Sequence, residues 1–98
     1  MYATVTRRKM NRESMQETRE RASREFWPKL QQMPGFVSFT LIQGEDGVNT
    51  ALILWESKVQ ADAFRDQQRA WGEALAAFGH QLESRGDGEV VEHLSARS

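Results

Sequence analysis

The sequence predicts an α+β domain whose elements run βαββαβ. Three observations carry that prediction: period-two alternation near both ends, a tight-turn hairpin in the middle, and two long apolar stripes at helical spacing between them. Ninety-eight residues suit one hydrophobic core, so residues 1–98 read as a single domain.

Tyr2 to Arg8 alternates and is rich in β-branched and aromatic residues, which suits a strand. Asn11 is a candidate helix cap, and Ser14 with Glu17 offers a capping box behind it. Met15, Ala22, Phe26, Leu30 and Met33 then draw one helical stripe. Pro28 should kink this helix or open a new first turn beside Trp27, and Pro34-Gly35 ends it.

A hairpin follows, with Glu45-Asp46 as a two-residue tip and Gln43 opposite Val48. That register gathers Val37, Phe39, Leu41, Val48, Thr50, Leu52 and Leu54 on one side of the sheet. Phe36, Ser38, Thr40, Ile42, Asn49, Ala51, Ile53 and Trp55 take the other. Ser57 with Gln60 forms a second capping box. Phe64, Trp71, Leu75, Phe78 and Leu82 make the second helical stripe, with a break expected near Asp66 to Arg69. Gly86-Asp87-Gly88 reads as a turn, and Glu89 to Leu94 as the last strand.

This order builds a ferredoxin-like antiparallel sheet with both helices on one face. The denser apolar side is the natural floor for the helices. The half-polar side would then be an exposed patch unless a second copy covers it, sheet on sheet. Ser38, Thr40 and Asn49 suit a small wet or liganded cleft better than a dry interface. A dimer enclosing that cleft is the expectation.

Composition removes several alternatives. A formal net charge of −1 supplies no global field to attract nucleic acid or anionic lipid. No apolar run approaches the ~20 residues of a membrane span, and the first twenty residues hold no apolar signal core. The absence of cysteine removes thiolate metal sites and fits a reducing cytoplasm. There is no phosphate loop, nucleophile elbow or HExxH motif, and two histidines thirteen residues apart make a poor metal site. No metal is therefore expected. RNA-recognition domains share the element order, but NTALILWE lacks their glycine and alternating aromatics.

The stretches PGFVSFTLIQGEDG and ALILWESKVQADAF resemble the antibiotic biosynthesis monooxygenase superfamily of dimeric α+β barrels. The matching residues are Pro34, Gly35, Phe36, Trp55, Ser57, Ala61 and Phe64. The resemblance implies a homodimer whose sheets form a barrel. It also implies either cofactor-independent oxygenation of phenols and quinols or haem degradation. The haem-degrading branch uses an asparagine, a tryptophan and a histidine at positions that fall near Thr6 and on Phe64 and Ala74 here. All three depart, so the expectation is no cofactor.

Within that resemblance, the expected ligand is a small aromatic molecule bound by Phe36, Ser38, Thr40, Ile53 and Trp55. His93 is the candidate base, because strand positions hold a substrate rigidly, and Asn49 the candidate anion-stabilising group. Against this, Trp55 also reads as interface packing. His80, after Gly79, reads as a solvated cap at a helix C-terminus. Trp71 and its stripe read as core, and Trp27 as a packing plug. Arg7, Arg8 and Lys9 read as an edge-strand solubility device.

Overall fold

The computed structural model describes residues 1–10 and 12–96; the candidate cap Asn11 lies outside the described residues. Strand β1 (Tyr2–Lys9) leads through a single 3-10 turn (Arg12–Ser14) into α1 (Met15–Glu25) and α2 (Trp27–Gln31). The hairpin β2 (Phe36–Gln43) and β3 (Val48–Trp55) comes next, then α3 (Lys58–Ala63), α4 (Arg65–Ala77) and β4 (Gln81–Glu89). The strands form one antiparallel sheet in the order β2-β3-β1-β4. This is the predicted ferredoxin-like α+β arrangement, with each expected helix divided in two.

Proline explains the first division. Pro28 has no N–H to continue the helical ladder, so α1 closes with Phe26 N–H on Ala22 O, and α2 begins at Trp27 with proline in its first turn. The second division falls at Phe64 rather than at Asp66 to Arg69. There the chain tightens to a Phe64 N–H···O Ala61 bond and the Phe64 ring sits 5.7 Å from Phe26 and 5.5 Å from Trp55. Core packing chose the break, not the polar composition downstream.

The hairpin register is shifted from the expected one. Gly44 N–H bonds Val48 O, and Gly47 has φ +84°, so the loop holds three residues with glycine in the left-handed position. Gln43 therefore faces Asn49, not Val48. Val37 is a bulge that restores the expected pairing of Phe36 with Trp55. The one-residue shift moves Phe39 and Leu41 to the side of Asn49, Ala51, Ile53 and Trp55. That side packs under the helices. It carries the core of Tyr2, Ala22, Phe26, Leu30, Ile53, Trp55, Ala61 and Phe64. The outer side carries Ala3, Val5, Ile42, Leu52 and Leu54 with Ser38, Thr40 and Thr50.

Two further expectations are corrected. Gly79, at φ +88°, ends α4 with a His80 N–H···O Leu75 bond, the six-to-one closure typical of a glycine helix stop. Leu82 thus belongs to β4, which runs straight through Gly86-Asp87-Gly88. Residues 90–95 lie beyond the sheet. Strand β1, expected at an edge, is central, so its alternation divides Tyr2, Thr4, Thr6 and Arg8 toward the helices from Ala3, Val5, Arg7 and Lys9.

Candidate functional site

A largely apolar cavity lies inside one chain, between the sheet and its own helices. The face expected to line a cleft between two sheets packs instead under the helices of its own chain, and the register shift adds Phe39 and Leu41 to it. The cavity's floor is Thr6, Arg8, Phe39, Leu41, Asn49, Ala51 and Ile53; its roof is Thr18, Ala22, Phe26, Trp27, Gln68, Trp71 and Leu75. Met10, Met15 and Arg19 close one end. Its space is about 80 Å³ and is partly open to solvent. Met15, Arg19 and Trp27 also line a surface groove on their outer side. Phe26 stacks on Trp71 at 5.2 Å and 11°, and their rings give the roof its flat wall.

Polar groups in this apolar shell are few. Asn49 is 3% exposed, and among the described residues its amide N–H meets only the thioether Sδ of Met15, at 3.7 Å. A thioether is a weak acceptor, so most of the amide's hydrogen-bonding capacity is unused. Arg8 is directly across the β1–β3 pair from Asn49. Thr18 is buried, donates its hydroxyl to Ser14 O at 2.8 Å and meets His80 Nε2 at 2.9 Å. A hydroxyl has one hydrogen, so His80 Nε2–H donates to Thr18 Oγ1.

His80 is thus buried behind Thr18, with 1% exposure, rather than a solvated cap. Burial, and then the charge of Arg8, push its pKa below the usual histidine value. The unfolded chain binds a proton there more readily than the folded one. Stability is therefore full above the unfolded value of about 6.5 and falls with pH below it, until the depressed folded pKa is passed. Thermal melts at pH 7.5 and pH 5.5 should show this loss, and His80→Gln should shrink it; equal loss in both would place the titration elsewhere.

The other expected site residues divide. Asn49 and Ile53 line the cavity. Phe36 and Ser38 border a separate surface depression with Trp27 and Leu30, while Thr40 is exposed on the outer face. Trp55 has 0% exposure, contacts Phe36 and Phe64, and its indole N–H has no acceptor among the described residues. It is core. His93 is exposed beyond β4, because the early helix stop at Gly79 gave the last strand to residues 81–89. It does not reach the cavity. Thr6, Arg8 and Gln68 were not expected there. The even parity shared with Tyr2 along β1 was the signal for Thr6 and Arg8; Gln68 had none.

No family model matches this sequence, and no curated protein matches it. Solved structures do match in fold. A dimeric ferredoxin-like protein from an uncultured marine organism aligns at TM-score 0.72 and 10% identity, over 96% of this chain and 97% of that one. SnoaB, a cofactor-independent oxygenase from Streptomyces nogalater, aligns at 0.66 and 20% over 95% of each chain. The heme-degrader MhuD from Mycobacterium tuberculosis, with two hemes bound, aligns at 0.66 and 21% over 97% of this chain and 100% of its own. The fold is that of antibiotic biosynthesis monooxygenase-type proteins.

The residues do not fit haem. No histidine, cysteine or tyrosine lines the cavity among the described residues, so its lining offers none of the usual protein ligands to haem iron.

Proposed function

We propose that this chain is a cytoplasmic, homodimeric, cofactor-independent monooxygenase acting on a small aromatic phenol or quinol held between its sheet and its helices. The observation that carries the reading is the cavity: a flat aromatic wall, a largely apolar lining and an under-used amide at Asn49. Neither a histidine nor a carboxylate lines it among the described residues. The chemistry then falls to the substrate. An ionised phenol gives electrons to oxygen, and phenol plus O₂ yields para-quinone plus water with no outside reductant. The protein contributes exclusion of water, orientation between Trp71 and the sheet, and hydrogen bonding to the anion from Asn49. The partly exposed apolar outer face, and the likeness to a dimeric ferredoxin-like protein, support the homodimer.

Oxygen uptake with a panel of small phenols and quinols tests this reading. The expected result is turnover that Asn49→Ala lowers by about 10²-fold, the scale of removing one oxyanion donor. Uptake no faster than that of the variant, or than buffer, rejects it. The absence of a base in the lining favours one other reading, a non-catalytic binder of the same molecules, which would show saturable affinity without product.

A further inference from the structure

Among the described residues Arg8 is set apart by being partly buried without an ion pair, since Arg12, Arg19 and Arg24 also lack one but are exposed. Arg21, Arg65, Arg69 and Arg85 each lie within 4.0 Å of a carboxylate: Glu25, Asp62, Asp66 and Asp87 respectively. Arg8 is half-buried, and among the described residues it makes neither an ion pair nor a hydrogen bond. Its position is specific. Its side chain separates the aromatic cavity from a second, more open cavity bordered by Gln68, Arg69, Gly72, Glu73, His80 and Arg85, and it lines both. The guanidinium lies against α4 at the point where residue 72 has no side chain. A Cβ at Gly72 would stand 2.9 Å from Arg8 Nη2.

A guanidinium held partly out of water without an anion is costly, and it offers five N–H donors. The charged groups around it do not relieve that cost. Arg85 and His80 are cationic or neutral, Arg69 is engaged with Asp66, and Glu73 on α4 is exposed and makes no ion pair with it. Burial and the charge of Arg85 push the Arg8 pKa down, as expected for a cation short of partners.

We infer that Arg8, with its cross-strand neighbour Asn49, forms a subsite for one oxyanion carried on the aromatic ligand of the cavity. This deepens the proposed function and rests on the cavity being a ligand site. For a phenol substrate it supplies what the base-free lining lacks, since a fixed positive charge holds the hydroxyl in its ionised form. The oxyanion is either the ionised ring hydroxyl or a ring carboxylate, and the two recognise the guanidinium through the same donors.

The test uses 4-nitrophenol and benzoate with the full chain. 4-Nitrophenol absorbs at longer wavelength when ionised, so the spectrum reports which form is bound. At a pH where about a tenth of the free probe is ionised, the wild-type protein is expected to bind it as the anion. Arg8→Gln should weaken binding at least about tenfold, and Arg8→Lys should keep part of it. Gly72→Ala should fold as well as wild type or better, because alanine favours helix and only the flexible tip of Arg8 must yield, yet it should weaken the probe as the tip is displaced. If Arg8→Gln instead weakens benzoate alone, the subsite stands with a carboxylate as its source. Binding of neutral nitrophenol, unchanged anion affinity in Arg8→Gln, or no binding of either probe overturns the subsite. Oxygen uptake plays no part in this measurement. A protein that binds the anion through Arg8 but consumes no oxygen retires the oxygenase and keeps the subsite, and the reverse retires the subsite alone.

Discussion

Trp55→Ala is expected to lower the unfolding free energy by about 3–5 kcal/mol, the range for truncating a fully buried large aromatic. The ring has no exposed surface and lies 6.0 Å from Phe36, 5.5 Å from Phe64 and across the β1–β3 pair from Tyr2. Truncation would open a void where both sheet and helices meet, and none of those neighbours can follow it inward without breaking register. Against a total of about 5–15 kcal/mol for a domain of this kind, such a loss is a large fraction. It corresponds to a melting shift on the order of 20 °C for a chain of this length. Trp55→Phe should cost much less, because the indole N–H has no acceptor to lose among the described residues. Circular-dichroism melts decide the matter. A shift of only a few degrees for Trp55→Ala would put the indole in an open cleft, where a ligand-stacking role would be possible again.

The sequence made some of this legible and hid the rest for identifiable reasons. Element order and the position of Pro28 were readable because periodicity and a missing N–H act locally. The face of the hairpin was not. Its outcome depends on whether Gly47 takes a left-handed conformation, since that one residue decides between a two-residue and a three-residue loop. The bulge at Val37 then conceals the shift at the far end, where Phe36 still meets Trp55. Both alternations fit the letters equally well. The same single-residue sensitivity at Gly79 moved β4 upstream and took His93 off the sheet. Asn49 and Ile53 were expected to face a second sheet, and they line the cavity beneath their own helices instead. Arg8 was hidden by its neighbours: in the run Arg7-Arg8-Lys9 only the middle residue faces the helices, and only the central place of β1 makes that face matter.

Leu52→Arg is expected to turn the proposed dimer into a folded monomer. Leu52 sits mid-strand on the outer face, opposite Val5 on β1 and Thr40 on β2, with Ala3, Leu54 and the exposed Ile42 around it. In a single chain an arginine there reaches water, so the fold should tolerate it. Between two packed sheets the same side chain is an unpaired charge, and leaving one buried costs about 3–5 kcal/mol. That corresponds to a weakening of association by roughly 10²–10³-fold or more. Sedimentation at micromolar concentration should give a dimer for the wild type and a monomer for the variant. A wild-type monomer would remove the homodimer, and a dimeric variant would move the interface off this face. The monomer is also informative about the ligand. The cavity is bounded by helices and sheet of one chain, with no lining residue on the outer face. Leu52→Arg should therefore still bind 4-nitrophenolate with wild-type dependence on Arg8. A site built between two sheets would lose the ligand together with the dimer, so this one variant separates the two placements of the site.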